Sequence, residues 1–75
     1  MSVYELTPKE LFAWYSNGET AQEVIQQGRA EIAARLQKQE RLAEKDAFYA
    51  ADRILQYAQR LQEAQETDAL KEEEK

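Results

Sequence analysis

Apolar or small residues recur along most of the chain at helical spacing: Ile25, Gly28, Ile32, Leu36, Ala43, Ala47, Ala50, Ile54, Tyr57 and Leu61, with Gln39 or Glu40 as the gap. Steps of three, four and seven keep such positions on one face of a helix. A strict seven-residue count from Ile25 reaches Ile32 and then meets Gln39, Asp46 and Arg53, whereas eleven-residue steps join Ile25, Leu36, Ala47 and Ala58. A second eleven-residue line joins Ile32, Ala43 and Ile54. That period predicts a straight or faintly right-handed helix rather than a left-handed zipper. Running from about 20 to 66, such a helix is roughly 70 Å long at about 1.5 Å per residue.

A shorter element precedes it. Thr7-Pro8-Lys9-Glu10 reads as a helix start: Thr7 caps the free amides, Pro8 suits the first helical position, and Glu10 bonds back to the Thr7 amide. Leu6 and Leu11 stand where a hydrophobic staple would put them. Ser16-Asn17-Gly18 offers the left-handed conformation that ends a helix, which limits this one to about 8–16. Thr20-Ala21-Gln22-Glu23 is a second capping box and opens the long helix. Two places are candidates for a bend or break in it. Gly28 weakens a helix interior by about 1 kcal/mol and is able to cap a new start, with Glu31 three residues on. The polar run Glu44-Lys45-Asp46 is the other, where Asp46 would cap a third helix. The apolar phase crosses both without a slip, which favours one long helix, bent at most, over a three-helix bundle.

The expected fold is therefore all-α: a short helix, a glycine turn and a long amphipathic helix, forming a helical hairpin or bundle completed by oligomerisation. One helical domain covers residues 1–66, and 67–75 reads as an acidic, frayed tail. With 75 residues and neither cysteine nor histidine, the chain has no disulfide, thiolate ligand or imidazole base to draw on. Domains this small usually need a staple or an oligomer, and association with another copy is the remedy left. Acids outnumber bases 15 to 10, yet residues 20–65 carry seven of each. Neither a clustered basic footprint for nucleic acid nor rows of carboxylates mimicking it is present, so nucleic acid is not an expected partner. No window approaches the roughly 20 apolar residues of a membrane span, and residues 1–6 do not read as a signal segment, so a cytoplasmic protein is expected.

Chemistry is sparse. Glu40 and Glu44 lie one helical turn apart, but helical bundles that hold metals this way supply histidines as well. Five serine and threonine hydroxyls have no visible base beside them, and no glycine-rich phosphate loop exists. No catalytic, cofactor or metal site is expected. The informative residues are apolar. Leu11, Phe12, Trp14 and Tyr15 load a two-turn helix heavily with aromatic surface, either to fold back on Val24, Ile25 and Gly28 or to meet a partner. The small residues Ala43, Ala47 and Ala50 lie between the larger Ile32 and Leu36 on one side and Ile54, Tyr57 and Leu61 on the other. That symmetry of size suits an antiparallel pair of copies crossing near Ala47.

The stretch Leu6-Thr7-Pro8-Lys9-Glu10-Leu11-Phe12-Ala13-Trp14-Tyr15-Ser16-Asn17-Gly18 resembles the opening of the small tail assembly chaperones of tailed bacteriophages. Those begin with a Thr-Pro-x-Glu-Leu helix, an aromatic pair and a glycine, then a charged helix carrying Ala and Tyr, as at Ala43 to Tyr57. The likeness covers 13 residues; the second helix is longer than that group has, and a basic or proline-rich ending is missing. It implies a non-enzymatic protein that binds other proteins during assembly, in the host cytoplasm if phage-encoded. The alternative is a phage-type inhibitor that binds and blocks a host or defence enzyme.

Overall fold

The structure is a computed structural model. It describes the backbone of residues 2–73 and the side chains through Ala64. A 3₁₀ turn at Val3–Glu5 leads into three helices: α1 at Pro8–Ser16, α2 at Ala21–Gln39 and α3 at Glu44–Glu73. The all-α class stands. α3 is the common element, since the 3₁₀ turn, α1 and α2 all pack against it. The molecule measures 48 × 23 × 19 Å, its long dimension matching the roughly 45 Å that a 30-residue helix spans.

The first helix forms as its sequence dictates. The Glu10 amide donates to Thr7 Oγ1 at 3.2 Å, and the Thr7 amide donates to Glu10 Oε1 at 2.9 Å. Pro8 occupies the first turn, where its missing N–H costs nothing. α1 ends at Asn17, left-handed at φ 42°, ψ 49°, followed by Gly18 at φ 103°. At the start of α2 the Glu23 amide donates to Thr20 Oγ1, as expected, but the Glu23 carboxylate accepts from the Thr20 hydroxyl instead of from its amide.

The single long helix from 20 to 66 is corrected. The chain turns back over residues 40–43, and α2 and α3 form an antiparallel pair. Arg41 adopts φ 56°, the Glu40 amide donates to Leu36 O at 3.0 Å, and the Leu42 amide reaches the same carbonyl at 3.5 Å. Leu42 then tucks against the core. A left-handed residue just past a helix end, followed by an apolar contact, is a common way to stop a helix. Here arginine fills the position that glycine or asparagine usually takes, so the sequence carries no punctuation. The break also precedes the Glu44-Lys45-Asp46 run, which instead supplies acidic side chains to the first turn of α3, where they suit the helix dipole.

Gly28 is one of the two places where a bend was expected, and the helix is interrupted there. At φ 81°, ψ 165° the residue lies in a backbone region that essentially only glycine enters. A methyl group built there would meet nothing within 4 Å. The glycine therefore serves a change of chain direction rather than a close approach by another side chain. α3 stays helical to Glu73, past the Glu66 where the apolar pattern stops; residues 74 and 75, and the side chains of the expected acidic tail, lie outside the described residues.

Among the described residues twelve apolar side chains are buried, and six of them are alanine: Ala21, Ala33, Ala47, Ala50, Ala51 and Ala58. The others are Val3, Leu11, Val24, Ile32, Leu36 and Ile54. Alanine at the seam lets helix axes approach closely but buries little area, so each large aliphatic residue carries much of the burial energy, about 1.5–3 kcal/mol apiece.

Candidate interaction surface

None of the seven aromatic side chains of this protein is buried. Phe12, Trp14, Tyr15, Phe48, Tyr49 and Tyr57 are half-buried, and Tyr4 is 47% exposed. The usual arrangement, large rings inside and small residues outside, is turned around: alanines fill the seam and rings form its rim.

Part of that rim is ordered along α3. Tyr49, Arg53 and Tyr57 are spaced four apart and so share one line of the helix surface. The Tyr4 ring packs on Tyr49 at 4.5 Å between centroids, tilted by 43°. Phe12 packs on Tyr57 at 5.2 Å with a 49° tilt. Between the two pairs the Arg53 guanidinium lies 5.1 Å from the centre of the Tyr49 ring. Tyr4 and Phe12 come from separate elements, and their pairing with positions eight apart on α3 lays the N-terminal segment alongside α3 in the same direction. The Tyr4 hydroxyl donates to Asp46 Oδ1 at 2.5 Å, which fixes the ring; that bond to a carboxylate is the main reason the phenol titrates above its ordinary value. The 3₁₀ turn itself begins at Ser2, whose hydroxyl accepts from the Tyr4 amide at 3.3 Å.

The opposite flank is more polar. Arg29, just after the break in α2, pairs with Asp52 and lies 4.7 Å from the centre of the Phe48 ring. Arg29 and Phe48, with Glu44 and Lys45, line an open groove at the start of α3. Near the α1–α2 turn the Tyr15 hydroxyl donates to Gln27 Oε1, and the Gln27 amide donates to Glu19 Oε2 at 2.9 Å. Glu19 also faces Arg35 at 3.9 Å. Burial raises the Tyr15 phenol and outweighs the opposing pull of Arg35. This network ties α1 to α2 through side chains.

The residues proposed for partner binding from sequence are thus divided. Leu11, Ile32, Leu36, Ala47, Ala50 and Ile54 are buried within one chain, where α2 gives α3 its antiparallel neighbour. The face expected to meet a second copy near Ala47 is covered by the chain's own hairpin. Ala43 is exposed in the connection, and Phe12, Trp14, Tyr15, Tyr57 and Leu61 stay half-buried. Sequence reasoning did not join Tyr4 and Arg53 with Tyr49 and Tyr57 into one surface; the four-residue spacing of Tyr49, Arg53 and Tyr57 was the signal available for the α3 part of it.

Among the described residues no group of three or more acidic residues is placed to hold a metal ion, and no helix is long and apolar enough to cross a membrane. Comparisons with protein-family models, curated proteins and solved structures return no match.

Proposed function

We propose that this is a non-enzymatic helical binding protein, self-associating, that acts as an assembly factor or adaptor by holding another protein against its aromatic rim. The observation that carries this reading is that all seven aromatic side chains remain at least partly exposed while alanine fills the seam. Half-exposed tyrosine, tryptophan and arginine are the residues that dominate binding energy at protein interfaces, because each offers a large rigid surface at low entropic cost. Folding alone gives no reason to leave so much aromatic area at the margin. Self-association is supported by shape: the chain exposes 5472 Å², against about 4,700 Å² for a compact monomer of this mass.

The test is affinity capture from the native cell, with the mass of the intact complex determined, repeated with Trp14→Ala and Tyr49→Ala. The expected result is a complex of defined stoichiometry that both variants lose while their melting temperatures stay near that of the parent. A large drop in melting temperature with the complex intact would reduce the rim to core packing and overturn the reading.

A further inference from the structure

We infer that a second copy of this chain enters by exchange of α3, forming a dimer in which the turn at 40–43 opens and α2 runs straight into α3. The inference rests on the self-association part of the proposed function and gives it a geometry. Three observations carry it. The connection between α2 and α3 is four residues long, contains neither glycine nor proline, and is held by Arg41 at φ 56°, a conformation that a side chain with a Cβ disfavours. Short, strained hinges of this kind invite exchange.

The second observation is phase. Leu36 and Ala47 are both buried and stand eleven residues, three helical turns, apart, as do Ala47 and Ala58. If residues 40–43 become helical, the buried stripe of α2 continues into that of α3 without a slip. A hairpin does not require this, because a turn can join two stripes of any relative phase. The third is that α3 is the element on which the 3₁₀ turn, α1 and α2 all pack. When it is exchanged as a unit, every one of those contacts is remade between chains, and the difference between closed monomer and dimer lies in the hinge. There the dimer relieves Arg41 and gains helical hydrogen bonds. The closed chain keeps the advantage of having its α3 tethered, so the balance depends on concentration.

Hinge substitutions set the direction. Arg41→Gly favours the left-handed turn and weakens a helix; Arg41→Ala keeps the Cβ and raises helix propensity slightly. With two hinges in each dimer, Arg41→Gly raises the dimer dissociation constant by about tenfold or more, whereas Arg41→Ala leaves it within about twofold of the parent on the tighter side, as read by sedimentation equilibrium. Connectivity is read separately. The chain has no cysteine, so Arg29→Cys with Asp52→Cys places two thiols where an exposed ion pair joins α2 to α3. A short bis-maleimide applied to the isolated dimer gives covalent dimers if α3 is exchanged. A dimer whose thiols are bridged within one chain overturns the exchange and leaves self-association standing. Compact monomers from all three hinge forms at millimolar concentration overturn both.

Discussion

The two seams that meet on α3 are built from opposite materials. On the side of α2, the contact consists of Ala47, Ala50, Ala51 and Ala58 with Ile54, against Val24, Ile32, Ala33 and Leu36, all shielded from water. On the side of the N-terminal segment Val3 and Leu11 are buried as well, but they are flanked by an aromatic margin of Tyr4 on Tyr49 and Phe12 on Tyr57, with Arg53 over the Tyr49 ring, and no residue of that margin is buried. The first seam has little volume per contact and no slack, so its loss is a loss of fold. The second keeps much of its area in water, so its loss on folding is modest while its capacity to bind is large. One chain thus separates what holds it together from what it presents.

The sharpest way to break this contrast is Ile54→Ala, which removes a large side chain from a seam otherwise filled by alanine. A destabilisation of about 2–5 kcal/mol is expected from urea denaturation. For 75 residues at roughly 0.05–0.15 kcal/mol each, that is a large share of the total stability. Phe12→Ala, the matching truncation in the aromatic seam, should cost less, about 1–2 kcal/mol, because part of the ring's surface stays in water. Equal losses at the two sites would erase the distinction between the seams.

Gly28→Ala ranks next. In an ordinary helix alanine gains about 1 kcal/mol over glycine, but at φ 81°, ψ 165° the backbone strain of about 1–3 kcal/mol works the other way. Since no atom lies near the added methyl group, the sign depends on backbone alone. The expected result is a lower urea midpoint with helix content, by circular dichroism, unchanged or higher. A raised midpoint would mean that α2 packs as well when straight.

The helical character of the chain, the starts of α1 and α2 and the end of α1 could be read from sequence because each is set by local chemistry: Thr7 with Glu10, Thr20 with Glu23, Asn17 with Gly18. The reversal at 40–43 could not, for two reasons. Its left-handed residue is arginine, and the stripe keeps its helical phase from Leu36 to Ala47, which is the pattern of an unbroken helix. Gln39 and Glu40, read as a polar gap in one stripe, stand at the end of α2. Missing that turn misplaced part of the candidate site as well, since Ile32, Leu36, Ala47, Ala50 and Ile54 are buried within the chain's own hairpin while Tyr57 and Leu61 stay half-buried. The aromatic character of the surface was legible at Phe12, Trp14 and Tyr57. The pairing of Tyr4 with Tyr49 was not, because contacts across 45 residues leave no trace in local spacing.

Thr7→Ala should cost about 1 kcal/mol of stability by loss of the cap. Its reciprocal partner adds a pH signature. The Thr7 amide, and then its hydroxyl, hold the Glu10 carboxyl below its ordinary value. A carboxylate depressed in the folded state contributes stability that is present above its unfolded pKa and is lost as pH falls through the folded one. Acid titration of the Thr7→Ala variant should therefore show a shallower decline in stability over that window than the parent. Parallel curves would mean that the box does not couple to folding.

Arg53→Ala is expected to have the smallest effect on folding and so separates the two seams most cleanly. The guanidinium is exposed and lies over one ring, an arrangement worth about 0.5–1 kcal/mol, and the stability change should stay within that range. Binding should respond differently. An arginine flanked by Tyr49 and Tyr57 becomes desolvated only when a partner covers it, and side chains at such centres cost about 2 kcal/mol or more of affinity when truncated, about thirtyfold in Kd. The ratio of the two losses, measured by urea denaturation and by titration of the captured partner, is the decisive quantity. If affinity falls no further than stability does, Arg53 braces the Tyr49 ring and the aromatic line is part of the scaffold.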